Sequence, residues 1–233
     1  MLINKKKRKI VFSFLIFIFC CSICFSQVSD TQKMLRIKLW APMDENPEIQ
    51  IDETLDDNYG ASIRSLKNTA PFLLSGMIYG WEFEYTPSDK TRNVEEYFSL
   101  NPIAEIKGDD SRINFTDVAF LDNRVYCWVE YSRTNEMIIY RQRWDSIQYP
   151  RVSGFGESKS TDSVEAIKEA ITEAAKNAIR TYAQSQTKNK PKAVLGRILL
   201  KDFDPNIKII KGKYTAYLDF FLYVDKIIQY SQF

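Results

Sequence analysis

Helical periodicity is clearest in Thr161–Gln186, TDSVEAIKEAITEAAKNAIRTYAQSQ. Apolar residues recur there at Val164, Ile167, Ile171, Ala174, Ala175, Ala178 and Tyr182, in the steps of three and four that form one helix face. Lys168, Glu169, Glu173, Lys176 and Arg180 fall mostly off that face. Asp162 with Glu165 fits a capping box at the start. Lys188-Asn189-Lys190-Pro191 ends the helix, because lysines suit its negative end and proline bars continuation. The alanines Ala166, Ala170, Ala174, Ala175, Ala178 and Ala183 have two readings. They let the helix lie tightly on a sheet, or they are there as the best helix former.

Period-two patterning surrounds this helix. Met34–Trp40 is a short first strand, and Ala41–Gly60 is an acidic loop. Ala61–Leu74 is a second helix, kinked or broken at Pro71. In Ser75–Tyr85, Trp81, Phe83 and Tyr85 alternate with Glu82 and Glu84, as in a strand. Val94–Ile106 is a strand, or a short helix passing into one. A meander follows: Ile113–Leu121, a turn at Asp122-Asn123, Val125–Tyr131, then Glu136–Asp145. Ala193–Phe203 and Tyr214–Val224 are the last strands, with Ile207–Lys211 and Gly212 making the hairpin between them. The expected fold class is α+β: an antiparallel or mixed sheet packed by two main helices. Helix, Gly76…Pro87 and an aromatic strand are echoed by helix, Gly196…Pro205 and an aromatic strand, so duplicated halves at 61–110 and 111–233 stay open.

The N-terminus changes how the charge is read. Lys5-Lys6-Lys7-Arg8-Lys9 precedes an apolar run from Ile10 to Phe19, and Cys24-Phe25-Ser26 places small residues ahead of a cut before Gln27. Residues 1–26 therefore read as a secretory signal peptide, residues 27–60 as strand and acidic loop, and 61–233 as the globular domain. Alternatives are an uncleaved anchor, or lipoprotein processing at Cys21 or Cys24, though Cys20 and Ile23 are not the usual preceding small residues. Removing 1–26 takes five of 32 basic residues and none of the 30 acidic ones, turning a net charge of +2 into −3. The charge thus argues against a nucleic-acid partner. Three of the four cysteines go too, leaving Cys127 in a strand pattern as a buried small hydrophobe. The expected location is the periplasm, with an outer-membrane lipoprotein as the alternative.

The chain has no histidine, which removes the usual general base, the usual metal ligand and the standard triad. No cofactor or metal is expected, and no catalytic residue is assigned. The acidic loop lacks calcium-loop spacing. Gly154-Phe155-Gly156-Glu157-Ser158-Lys159 precedes a helix N-terminus but has Ser158 where the phosphate-cradling motif needs glycine. It reads as a flexible turn. A hydrolase using Ser158 or Ser160 with Lys159 has no supporting motif. Trp81, Tyr85, Trp128 and Trp144, with Arg141 and Arg143, are the candidate interaction surface; the competing reading is core packing.

The segment WDSIQYPRVSGFGESKSTDSVEAIKEAITEAAKNAIRTY resembles the periplasmic LPP20-like group, including N-terminal regions of flagellar-assembly T proteins. The resemblance covers Trp144–Val224 and rests on G-x-G followed by an alanine-spaced helix. It implies an envelope or flagellum-associated structural role without known catalysis. The sequence departs from the lipoprotein members in lacking a clear lipobox. The expected function is an exported, non-enzymatic envelope protein acting through protein partners in a cell-surface or flagellar assembly. The alternative is a small-ligand or glycan binder with an aromatic-lined groove.

Overall fold

Alternating apolar positions fold here into two antiparallel sheets. The computed structural model describes residues 33–43, 60–145, 148–161 and 165–230. β1 (Met34–Pro42), β5 (Arg124–Ser132) and β4 (Ile113–Leu121) form a three-stranded sheet in the order β1-β5-β4. The second sheet runs β3 (Tyr97–Pro102), β2 (Trp81–Thr86), β7 (Ala193–Leu200), β9 (Lys213–Ile228), β6 (Arg151–Glu157), with β8 (Asn206–Ile210) paired to the start of β9. The helices are α1 (Gly60–Ile78), α2 (Asn135–Arg143) and α3 (Ala166–Gln186). Among the described residues this is an α+β fold of three helices and nine strands, all paired antiparallel.

The smaller sheet buries one face. Leu35, Ile37, Leu39 and Ala41 of β1 stand beside Tyr131, Val129, Cys127 and Val125 of β5, in that register. Burial pushes the Cys127 thiol up to about 11, so it packs as an unreactive apolar group. α1 lies against β1, β5 and β7. Its Leu66, Ala70, Leu73, Leu74, Met77 and Ile78 are buried. α3 covers β6 and β9 of the larger sheet. Leu199 and Phe221, one position out of phase with Ile198 and Phe220, bury a smaller cluster with Trp144 on the opposite face. Residues 33–233 cluster as one unit, in which β1 pairs with β5 and β2 pairs with β7. The halves 61–110 and 111–233 therefore share a sheet. The acidic loop expected over Ala41–Gly60 falls mostly outside the described residues.

Four expectations are corrected. Glu136–Asp145 is helix α2. Thr134 Oγ1 accepts a hydrogen bond from Met137 N at 3.3 Å, and Met137, Ile138, Arg141 and Trp144 are buried at helical spacing. Gly154-Phe155-Gly156 is no flexible turn but the middle of strand β6, paired to Leu218, Tyr217 and Ala216. Of the kink or break expected at Pro71, the break does not occur: α1 runs on to Ile78, and β2 begins only at Trp81. Lys67, whose carbonyl Pro71 cannot satisfy, is exposed to water, and the buried face of α1 holds the rest. α3 starts at Ala166, with Glu165 at the cap and no side-chain cap bond. Asp162 lies outside the described residues.

The Asp110–Arg112 ion pair is expected to make stability fall in acid. Asp110 accepts from Arg112 N (3.0 Å), Arg112 Nε (3.0 Å), Arg112 Nη2 (2.6 Å) and Tyr131 Oη (3.1 Å). The Arg112 bonds hold its carboxyl at about 2. A carboxylate depressed in the folded state contributes stability above its unfolded value of about 3.9 and loses it as pH falls toward the folded one. Asp110→Asn is expected to flatten the decline in urea midpoint between about pH 4 and 2. Parallel declines in both proteins would refute this.

Candidate functional site

The six residues singled out by sequence do not share a surface. Trp81 is fully buried; its ring lies 5.0 Å from that of Phe72 and so close to Gly76 that a Cβ there would sit 1.9 Å from it. Tyr85 points inward from the same strand face. Trp144 packs with Leu199, Phe221 and Tyr149. Arg141 is buried, donating Nη1 to Met77 O (3.1 Å) and Leu200 O (2.5 Å) and Nη2 to Lys201 O. Only Trp128, under the Arg36 guanidinium at 4.2 Å, and Arg143 keep solvent contact, and they lie on different elements. The core-packing reading therefore holds for Trp81, Tyr85 and Trp144, and Arg141 is a structural tie. Ser158 is also structural: its Oγ donates to Ser160 O (2.6 Å) and accepts from Tyr214 N (3.0 Å).

What pattern reading missed is a polar network between β2 and α3. Tyr85 Oη donates to Glu96 Oε1 (3.0 Å) and accepts from Arg180 Nε (3.1 Å). Arg180 Nη2 donates to Glu96 as well, and Lys176 Nζ is 3.7 Å from Glu96 Oε2. Burial pushes the Tyr85 hydroxyl up. Burial also opposes the Glu96 charge, but the bonds from Arg180 and Tyr85 outweigh it and hold the carboxyl below its usual range. These groups border a cavity of about 470 Å³ closed by the α3–β7 loop from Thr187 to Pro191. The same loop borders a wider cleft of about 1460 Å³ against the 88–92 turn and Tyr230. Tyr85 and Glu96 flank the β2–β3 hairpin, but Arg180 lies 95 residues beyond Tyr85, and nothing local signals that pairing.

Two surfaces expose apolar groups. β4 breaks register between Thr116 and Ala119, where Asp117 has φ 51° and accepts from Arg36 Nη2 at 2.5 Å. Val118 in this bulge and Phe120 and Leu121 beyond it are 53%, 52% and 61% exposed. The expected turn at Asp122-Asn123 closes the hairpin, both residues having the positive φ of a tight primed turn. Among the described residues β4 pairs only with β5, so it is an edge strand. On the other sheet, the Phe155 and Tyr217 rings meet across β6 and β9, centroids 4.8 Å apart and planes tilted by 51°. They border a groove of about 460 Å³ with Ser153, Asp219, Asp202 and Asn206.

A protein-family model matches residues 20–230. The chain belongs to this family. A protein of Treponema pallidum (strain Nichols) described as uncharacterised is 28% identical over 197 residues, covering 84% of this chain and 82% of that one. No solved structure matches the chain. The resemblance to LPP20-like and flagellar-assembly T proteins is thereby corrected. The family match spans nearly the whole chain instead of the third from Trp144 to Val224, and neither match carries that resemblance. G-x-G followed by an alanine-spaced helix is what any strand needs to bring a helix backbone close, so it misleads as a family mark. Among the described residues no helix is long and apolar enough to cross a membrane.

Proposed function

We propose that the protein is an exported envelope component that acts by binding another protein, without catalysis. The observation that carries this reading is the β4 edge, where Val118, Phe120 and Leu121 are half or more exposed and where, among the described residues, β5 is the one strand paired to β4. Edge strands are usually blunted by charge or bulges. Here the bulge itself carries Val118, and Phe120 and Leu121 follow it. The partner that fits is an extended, apolar protein segment adding itself to the edge, its backbone bonded to β4 and its side chains on the exposed positions. The basic and apolar pattern of residues 1–26 supports export.

Envelope material from the native host provides the test. The mature chain is expected to begin at Gln27, and a photo-crosslinker at Val118 to capture one defined partner. Leu121→Glu should abolish that capture with little change in melting temperature, since an exposed substitution costs within about 0.5 kcal/mol. A partnerless monomer, or capture indifferent to Leu121→Glu, would overturn the reading.

A second reading places a small ligand or glycan in the Phe155–Tyr217 groove. It is favoured by a solvent-exposed aromatic pair flanked by Asp219, Ser153 and Asn206, a stacking face beside hydrogen-bonding groups. That groove replaces the one expected from Trp81 and Trp144.

A further inference from the structure

We propose that the cleft between the 88–92 turn and the 186–190 loop binds an anion carrying several phosphate groups. Four cations line it, Lys90, Arg92, Lys188 and Lys190, against one acid, Asp89. That acid is already used. Its Oδ1 accepts from Thr91 N (3.0 Å) and Thr91 Oγ1 (2.5 Å), and its Oδ2 accepts from Arg92 Nη1 (2.5 Å). Asp89 also pairs with Val94 through the backbone, and Asn93 takes a positive φ, so the turn is closed on itself. Arg92 is held over the Tyr230 ring at 4.3 Å, and Lys190 Nζ donates to Ser88 O at 2.8 Å. Two cations are thus set in place by the fold.

The other two are unspent. Among the described residues, neither the Lys90 nor the Lys188 ammonium has a hydrogen-bond or ion-pair partner. Removing residues 1–26 leaves a chain of net charge −3, so this concentration of positive charge runs against the whole. Lysine ammoniums are compact point charges that tolerate varied phosphate geometry, and Arg92, with only Nη1 bonded to Asp89, adds a guanidinium that also suits phosphate oxygens. The cleft volume of about 1460 Å³ exceeds what a single phosphate needs. Several linked phosphates fit within it alongside the four cations.

The probe is inorganic tripolyphosphate, titrated calorimetrically into the purified protein at low ionic strength, with citrate as a carboxylate control at matched ionic strength. Tripolyphosphate is expected to bind at least about tenfold tighter than citrate and to weaken by about tenfold as salt rises to physiological strength. Lys90→Ala with Lys188→Ala should lower its affinity about tenfold or more. Lys67→Ala with Lys208→Ala removes the same charge from exposed positions on α1 and β8 and should leave affinity unchanged. Because Lys90 and Lys188 are exposed and unpaired, matching melting curves would show that the variant is folded. Any one of three results would overturn the proposal: no binding by the parent protein, citrate binding as tightly, or both lysine pairs weakening affinity equally.

Discussion

Gly156→Val is expected to destabilise the protein by more than about 3 kcal/mol, beyond the usual cost of overpacking, because the obstacle is backbone. A Cβ at Gly156 would sit 2.2 Å from Ala170 O and 2.2 Å from Ala174 N. At Gly154 it would sit 1.9 Å from Ala174 O. β6 thus presents two glycines to α3, and α3 answers with Ala170, Ala174 and Ala178, all buried. Neither backbone can retreat without separating helix from sheet. Ala174→Leu tests the same contact from the helix side and should cost about 1–3 kcal/mol. Gly212→Ala is the contrast. It sits at the β8–β9 turn with φ 71° and nothing within 4 Å, so only conformational strain of about 1–2 kcal/mol applies. Urea midpoints rank the three. A near-unchanged midpoint for Gly156→Val would mean that α3 does not lie on β6.

The second large effect belongs to Arg141→Met, expected to cost about 3–5 kcal/mol. Arg141 ties α2 to two segments that the chain visits far apart: Met77 O near the end of α1, and the consecutive Leu200 O and Lys201 O at the end of β7. Its guanidinium also lies 4.9 Å from the Phe203 ring and 5.6 Å from that of Phe221. Burial pulls its pKa down to about 10, which leaves it charged at neutral pH. Methionine matches the stem but strands three carbonyls, and each buried unsatisfied acceptor costs about 1–3 kcal/mol. Arg141→Lys keeps the charge and loses the fork, so it should fall between. If methionine proved as stable as arginine, water would be reaching those carbonyls and the tie would be dispensable.

The two tests also show what was legible beforehand. The alanine spacing of α3 already said that something comes close. Which strand approached, and that Gly154 and Gly156 were its other half, depended on β6 pairing with β9, 58 to 70 residues later, from Glu157↔Thr215 to Arg151↔Phe221. Read locally, G-F-G is a turn; in the sheet it is a smooth bed for a helix. Glu136–Asp145 failed for a related reason. MIIY offers apolar residues to either period, and the deciding signals were the Thr134 cap and the burial of Arg141 and Trp144, which only neighbouring elements explain. The candidate surface failed because aromatic side chains suit a core and an interface equally well. Alternation along β2 sends Trp81 and Tyr85 inward together, and the sign of that choice is set by what packs above the strand.

By itself the sequence determined the α+β class, the long α3 helix and its end at Gln186, the β4–β5 hairpin with its Asp122-Asn123 turn, the alternating strand β9 and the burial of Cys127. All of these rest on interactions within a few residues or on a face repeated along one element. Only the tertiary structure decided the partition into two sheets, the use of β6 as a strand, the role of Arg141 and the meeting of the 88–92 turn with the 186–190 loop. Each of those joins groups distant in the chain, and no local periodicity records which of many compatible partners a buried face or a charged side chain will meet.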